Sequence, residues 1–261
     1  MVWREWGSGS TVVMSHGGFG SWLHWIRNVE PLSKHHRVLA FDTPGLGDSA
    51  EVNDPVSPEK IGQAVFGGLD SLLTPDETCQ FVCFSFGGVV CSQVALHLKS
   101  RLRRMILVGA SGFGIARTRP VEMIRRTPDM TIEEREAAQR HNILALMLKH
   151  PESLDDLALE IQSRNDARAR VKSRKFSLGA TLREALPDIS AEVNGIWGAE
   201  DATASPDIDS RRAVIAETHP DTDFRLIPDA GHWVGAIAVI VGIGAAAVAS
   251  SALKRAMGRL I

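Results

Sequence analysis

The chain has 261 residues, which suits one α/β domain or a core with a small insertion and leaves little room for two full domains. Its 44% apolar and 23% charged content is ordinary for a soluble globular protein. Lys and Arg number 29 against 31 Asp and Glu, a net charge of −2, so no global field exists to hold nucleic acid or to steer an acidic substrate.

In chain order, Trp3–Trp6 adds an outer strand. TVVMS (11–15) predicts a buried strand, followed by the glycines of HGGFG and a helix over 21–33. RVLAF (37–41) predicts the next strand, stopped by the Pro-, Gly- and Asp-rich turn DTPGLGDS. Between 57 and 73, Ile61, Val65, Leu69 and Leu72 or Leu73 recur at helical spacing. QFVCF (80–84) predicts a strand, 87–98 a helix and MILV (105–108) another strand. Strands alternating with helices imply right-handed crossovers and a mostly parallel sheet. From about 114 to 181 charges are dense and no strand-like run occurs. Helices fit at 131–149, opened by a capping box of Thr131 and Glu134, and at 153–168. Strands resume at 192–197 and 224–227. The expected organisation is an α/β core from residues 1–113 and 182–261, with a helical cap inserted at 114–181.

Three cysteines, an odd number, argue against a disulfide framework and for a reducing, cytoplasmic setting. The first ten residues hold no apolar run for a signal peptide, and no N-x-Ser/Thr site occurs. Cys79, Cys83 and Cys91 lack metal-ligand spacing and read as buried thiols, so no metal is expected.

Cys83-Phe84-Ser85-Phe86-Gly87-Gly88 lies between a strand and a helix. A serine there sits on a sharp turn that lifts its hydroxyl clear of the sheet. The usual pattern is G-x-S-x-G; Cys83 replaces the first glycine and Gly87 keeps the second. Taken alone, the pentapeptide weighs equally as an ordinary Ser–Gly turn. His16-Gly17-Gly18-Phe19-Gly20 closes an earlier strand and can turn backbone N–H groups toward a developing oxyanion; the Walker pattern fails for want of Gly-Lys-Ser/Thr. WGAED (197–201) and AGHW (230–233) each follow a late strand. A serine nucleophile needs a base, and an imidazole base needs an acceptor to fix its tautomer. The order is Ser85, Asp201, His232, and every element falls at the carboxyl end of a predicted parallel strand.

These segments, with FDTPGLGDS (41–49), resemble the α/β-hydrolase superfamily, specifically its cap-bearing bacterial esterases and carbon–carbon hydrolases. The resemblance implies Ser85 as nucleophile, His232 as base, Asp201 as third member, and oxyanion donors at Phe86 N–H and Gly18, or Phe19, N–H. Some members carry the acid after the preceding strand, but GASGFGI (109–115) has no carboxylate, which favours Asp201 over that site; Glu200 is the neighbouring competitor. The expected reaction is hydrolysis of a small-molecule carboxylic ester with no cofactor. Carbon–carbon cleavage of a meta-cleavage-type dienoate is the alternative, weakened because Phe84 stands where those relatives tend to carry asparagine. A non-catalytic binding protein is the rival from another class. Phe19, Phe84 and Trp233 flank the site in sequence; if they line it, the pocket is apolar. The basic run Arg164, Arg168, Arg170, Lys172, Arg174 and Lys175 could attract an anionic substrate, but such a run is more often a solvated helix face, and that is the expectation.

Trp233–Leu253 carries no charge and precedes Lys254, Arg255 and Arg259. Its length reaches that of a membrane span. Its Ala, Gly and Ser content favours a final helix packed on the sheet over membrane contact, with an altered reading frame as the remaining reading.

Overall fold

The apolar runs expected as strands join one sheet. In the computed structural model they are β1 (Val2–Trp6), β2 (Ser10–Ser15), β3 (His36–Asp42), β4 (Cys79–Phe84), β5 (Leu102–Val108), β6 (Glu192–Gly198) and β7 (Phe224–Ile227). The order is β1-β3-β2-β4-β5-β6-β7. β1 pairs antiparallel with β3, and every other neighbour is parallel. The structure describes residues 1–51, 53, 55–116, 120–204, 206–240 and 247–249, with 236–240 and 247–249 by backbone alone.

Side chains alternate across this sheet. Val13, Leu39, Phe81, Cys83, Met105 and Leu107 face one apolar cluster; Val12, Met14, Val38, Ala40, Val82, Phe84, Ile106 and Val108 face the other. That period of two, apolar on both faces, is what helices on both sides demand. The helices are α1 (Ile26–Ser33), α2 (Pro58–Asp70), α3 (Phe86–Leu98), α4 (Ile132–Leu146), α5 (Asp156–Ala167), α6 (Arg174–Ser177), α7 (Thr181–Ala185), α8 (Asp209–Thr218) and α9 (Val234–Ile237). α2 starts where Ser57 accepts the Lys60 N–H and buries Ile61, Val65 and Leu69. Each such side chain contributes about 1.5–3 kcal/mol of burial. α4 opens with Thr131 and Glu134 bonding each other's backbone N–H.

Between β5 and β6 the described residues are helical or irregular. α4 and α5 send Ile143, Ala158 and Ile161 into the cluster that holds Trp25 and Trp233. The uncharged tail departs from expectation. Over its described part it is not one helix: α9 has four residues and gives way to β8 (Ala238–Ile240), paired antiparallel with β9 (Ala247–Ala249). Val239 and Ile240 are β-branched, which favours strand over helix. Residues 241–246 and 250–261 lie outside the described residues. Among those described, no helix is long and apolar enough to cross a membrane.

Candidate active site

Register decides what meets at the carboxyl edge of the sheet. Ser15 pairs with Cys83, so the HGGFG turn after β2 lies beside the serine turn after β4. Ser85 has φ +50° and ψ −116°, a conformation that costs a non-glycine residue of order 1–3 kcal/mol. Backbone bonds hold it there: Ser85 N–H donates to Val108 O, and Gly88 and Ser111 N–H both donate to Ser85 O, each at 3.0 Å. Gly87 is required, because a Cβ would stand 2.8 Å from Ser15 O. Cys83 sits within β4, not in the turn, and its buried thiol faces the core. Burial pushes that thiol well above its ordinary pKa, helped by a hydrogen bond with Cys91. A cysteine is tolerated at this position because its side chain leaves the turn free.

His232 lies in the turn after β7, anchored where Trp233 N–H donates to Met147 O at 2.8 Å. Its Nε2 is 2.9 Å from Ser85 Oγ and its Nδ1 is 2.8 Å from Asp201 Oδ2. Asp201 is fully buried and His232 nearly so. Asp201 Oδ1 accepts Thr203 N–H at 2.7 Å and Thr203 Oγ1–H at 2.8 Å. Burial alone would raise the Asp201 pKa; the His232 charge and the bonds from His232 and Thr203 outweigh it and hold the carboxyl below its ordinary value. Glu200, the competitor, is exposed and pairs with Lys149 at 3.3 Å. An imidazole bonded on one side to a buried carboxylate and on the other to a hydroxyl can take that hydroxyl's proton and have its charge balanced.

The HGGFG turn is held from below and above. His16 donates from Nδ1 to Gly17 O at 2.7 Å and accepts Thr43 N–H at Nε2, 2.9 Å. His24 Nδ1 accepts Gly17 N–H at 3.3 Å. Burial pushes the His24 pKa down to about 3, with His16 adding to the effect. From α5, Gln162 Nε2 donates to Phe19 O at 3.3 Å, and Asn165 Oδ1 accepts Ser21 Oγ–H at 2.6 Å.

A cavity of about 920 Å³ opens on these groups. Ser85, His232, Gly18, Phe19 and Phe84 line it, with Phe113, Ile115, Val121, Met123 and Leu178 giving it a largely apolar wall. Trp233 departs from expectation: it is buried in the core, donates Nε1–H to His24 O at 3.1 Å, and is not among the lining residues. The Phe86 side chain is buried against the core, while its N–H, at the first position of α3, has no intrahelical acceptor. The basic run splits: Arg164 and Arg168 pair with Glu160 and Asp48, whereas Arg174 lines the cavity. Thr203 and Arg211 line it too and escape sequence reasoning. A hydroxyl two residues after the acid was the readable signal for Thr203.

A serine on a strained strand-to-helix turn, bonded through histidine to a late-strand acid above a parallel sheet, defines a class of α/β proteins built for hydrolytic chemistry. The chain belongs to the alpha/beta hydrolase family, whose model matches residues 12–236. A 2-hydroxy-6-oxo-6-phenylhexa-2,4-dienoate hydrolase from Burkholderia cepacia is 27% identical over 242 residues, covering 87% of this chain and 82% of that protein. A pimeloyl-(acyl-carrier protein) methyl ester esterase from Vibrio cholerae is 32% identical over 111 residues, 42% of this chain and 41% of that one. The structure of a meta-cleavage product hydrolase from Pseudomonas fluorescens IP01 aligns with a TM-score of 0.70 and 21% identity, over 99% of this chain and 91% of that chain. The chain is a hydrolase of the α/β fold, with relatives named for both dienoate and ester substrates.

Proposed function

We propose that this chain hydrolyses a carboxylic ester through an acyl-enzyme on Ser85. The observation that carries the reading is the nearly buried His232 imidazole, 2.9 Å from Ser85 Oγ and 2.8 Å from Asp201 Oδ2, at the wall of a largely apolar cavity. Ser85 Oγ attacks the ester carbonyl as His232 Nε2 takes its proton. The tetrahedral intermediate collapses, the carbon–oxygen bond to the alcohol breaks, and Nε2 returns the proton to the departing alkoxide. Water, deprotonated by the same nitrogen, then releases the acid and restores Ser85. Asp201 orients His232 and balances its charge. Phe86 and Gly18 N–H receive the oxyanion; one such donor is worth about 3 kcal/mol. Phe19 and Phe84 fit a hydrophobic acyl or aryl group. Residues 114–181 act as the cap over a core of 1–113 and 182–261, a division supported by cavity walls drawn from both.

Carbon–carbon cleavage of a dienoate is the second reading. The Burkholderia relative's name and Arg174 on the cavity wall favour it. A fluorophosphonate probe tests the common chemistry: wild type labels and Ser85→Ala does not. Absence of labelling in folded wild type leaves the non-catalytic binding reading. Aryl esters of graded acyl length, assayed beside a dienoate, separate the two reactions.

A further inference from the structure

Arg211 stands in the first turn of α8, on the side of the cavity formed by the loop that carries Asp201. It is only 6% exposed and shares the cavity wall with Thr203, His232 and Ser85. Its Nη1 donates to Ala204 O at 3.4 Å and to Asp207 O at 2.6 Å. Among the described residues, no carboxylate lies within 4.0 Å of its guanidinium. Arg4, Arg37 and Arg101, all more exposed, each meet one at 3.2 Å or less. Asp201 and Asp207 are near enough to act on Arg211 through their charge, but neither is in ion-pair contact: Asp201's oxygens are taken by Thr203 and His232, and Asp207 Oδ1 accepts Ser210 Oγ–H. A guanidinium has five N–H donors in a planar fork, and carbonyls engage one nitrogen here. A nearly buried cation with no carboxylate in direct contact is costly. On a wall otherwise largely apolar, that cost marks a place for an anion on the ligand.

We propose that Arg211 receives a carboxylate carried by the substrate, so that the preferred ester is an acid monoester with its free carboxylate lodged against the Asp201 loop. The inference rests on the ester-hydrolase reading above. A planar fork matches a planar carboxylate two atoms to two. The fork carries one positive charge, which suits one carboxylate better than a phosphate dianion. Arg174 differs: it is exposed and belongs to the cap. The charge that selects the substrate is therefore set on the sheet side.

The test compares 4-nitrophenyl monoesters of glutaric and adipic acid with 4-nitrophenyl valerate and hexanoate, in wild type, Arg211→Met, Arg211→Lys and Arg174→Met. Wild type favours the acid monoesters in kcat/KM, and the preference shrinks as salt rises. Arg211→Met cuts the acid-to-neutral ratio by about 10- to 100-fold, carried mainly by KM, as expected for one charged hydrogen-bonded contact. Arg211→Lys keeps part of the preference, and Arg174→Met keeps most of it. An unchanged ratio in Arg211→Met, or a ratio that collapses in Arg174→Met instead, overturns the assignment. Where Arg211→Met does not fold, wild type decides: glutarate inhibits valerate-ester hydrolysis competitively, and no acid preference with no inhibition sinks the proposal. Fluorophosphonate labelling of wild type keeps the failures apart. Labelling without acid preference removes the Arg211 assignment alone, whereas no labelling removes the serine-ester-hydrolase reading beneath it.

Discussion

Asp201→Asn is the most informative single change, because Thr203 dictates which way the new amide points. Thr203 N–H and Oγ1–H both donate to Asp201 Oδ1, at 2.7 and 2.8 Å. In the variant only the amide oxygen can accept them, so the amide nitrogen turns to His232 Nδ1. A donor there forces Nδ1 to accept and places the ring proton on Nε2, the atom 2.9 Å from Ser85 Oγ. The imidazole then has no lone pair for the serine proton. The imidazolium also loses its buried counter-charge. The expected loss is about 10⁴ in kcat, some 5–6 kcal/mol of barrier. Steady-state hydrolysis of a 4-nitrophenyl ester measures it, with fluorophosphonate labelling rate as a second readout. Adding Thr203→Val removes only the hydroxyl donor; the Thr203 backbone N–H, 2.7 Å from Oδ1, still needs the amide oxygen, so the double variant stays as slow as Asp201→Asn. Retention of more than about a tenth of wild-type kcat in Asp201→Asn would refute the tautomer argument, since the wrong proton position leaves no moderate outcome. Glu200→Gln, altering an exposed side chain paired with Lys149, serves as the control.

Three further outcomes follow from the same contacts. His24 has a folded pKa near 3 against an ordinary 6.5, so unfolded chain takes up its proton first as pH falls. Its contribution to stability is complete above pH 6.5 and drains between 6.5 and 3, by up to about 5 kcal/mol; Tm scans from pH 7 to 4 should slope downward, and less steeply in His24→Asn. Cys83→Gly restores the usual serine pentapeptide yet should lower stability by about 1–3 kcal/mol in urea titrations without raising kcat, because the thiol fills core and not turn. Gln162→Leu removes the α5 bond to Phe19 O and should lower kcat about 2- to 10-fold with a smaller change in KM; a pure KM effect would argue that the bond positions substrate and not the HGGFG turn.

The alternation of strands with helices and the edge at which Ser85, Asp201 and His232 gather were legible because each depends on local pattern. TVVMS, QFVCF and MILV are apolar runs bounded by glycine or polar turns, and a parallel sheet aligns their carboxyl ends by construction. Trp233 was misjudged because adjacency in sequence says nothing about direction: its indole packs into the core and donates to His24 O, while the neighbouring His232 meets Ser85. Arg211 was invisible because an arginine on a polar helix reads as surface. Only the fold, by laying α8 against the Asp201 loop, buries it beside the cavity. The uncharged tail misled for another reason: Val239 and Ile240 suit a strand, and apolar content alone does not choose between helix and strand.

The inserted helices are fastened to the turns that carry the chemistry and not merely laid over them. Met147 O, just past α4, holds Trp233 N–H next to His232; Gln162 and Asn165 of α5 hold Phe19 and Ser21 around the HGGFG turn; Arg170 N–H, after α5, donates to Gly45 O at 2.9 Å. Displacing these helices would break bonds at Trp233, beside His232, and at Phe19 together. The groups that shape the substrate cavity and the groups that align the imidazole thus share one set of hydrogen bonds. Substitutions in 114–181 are therefore expected to move kcat as well as KM, which a freely hinged cover would not do.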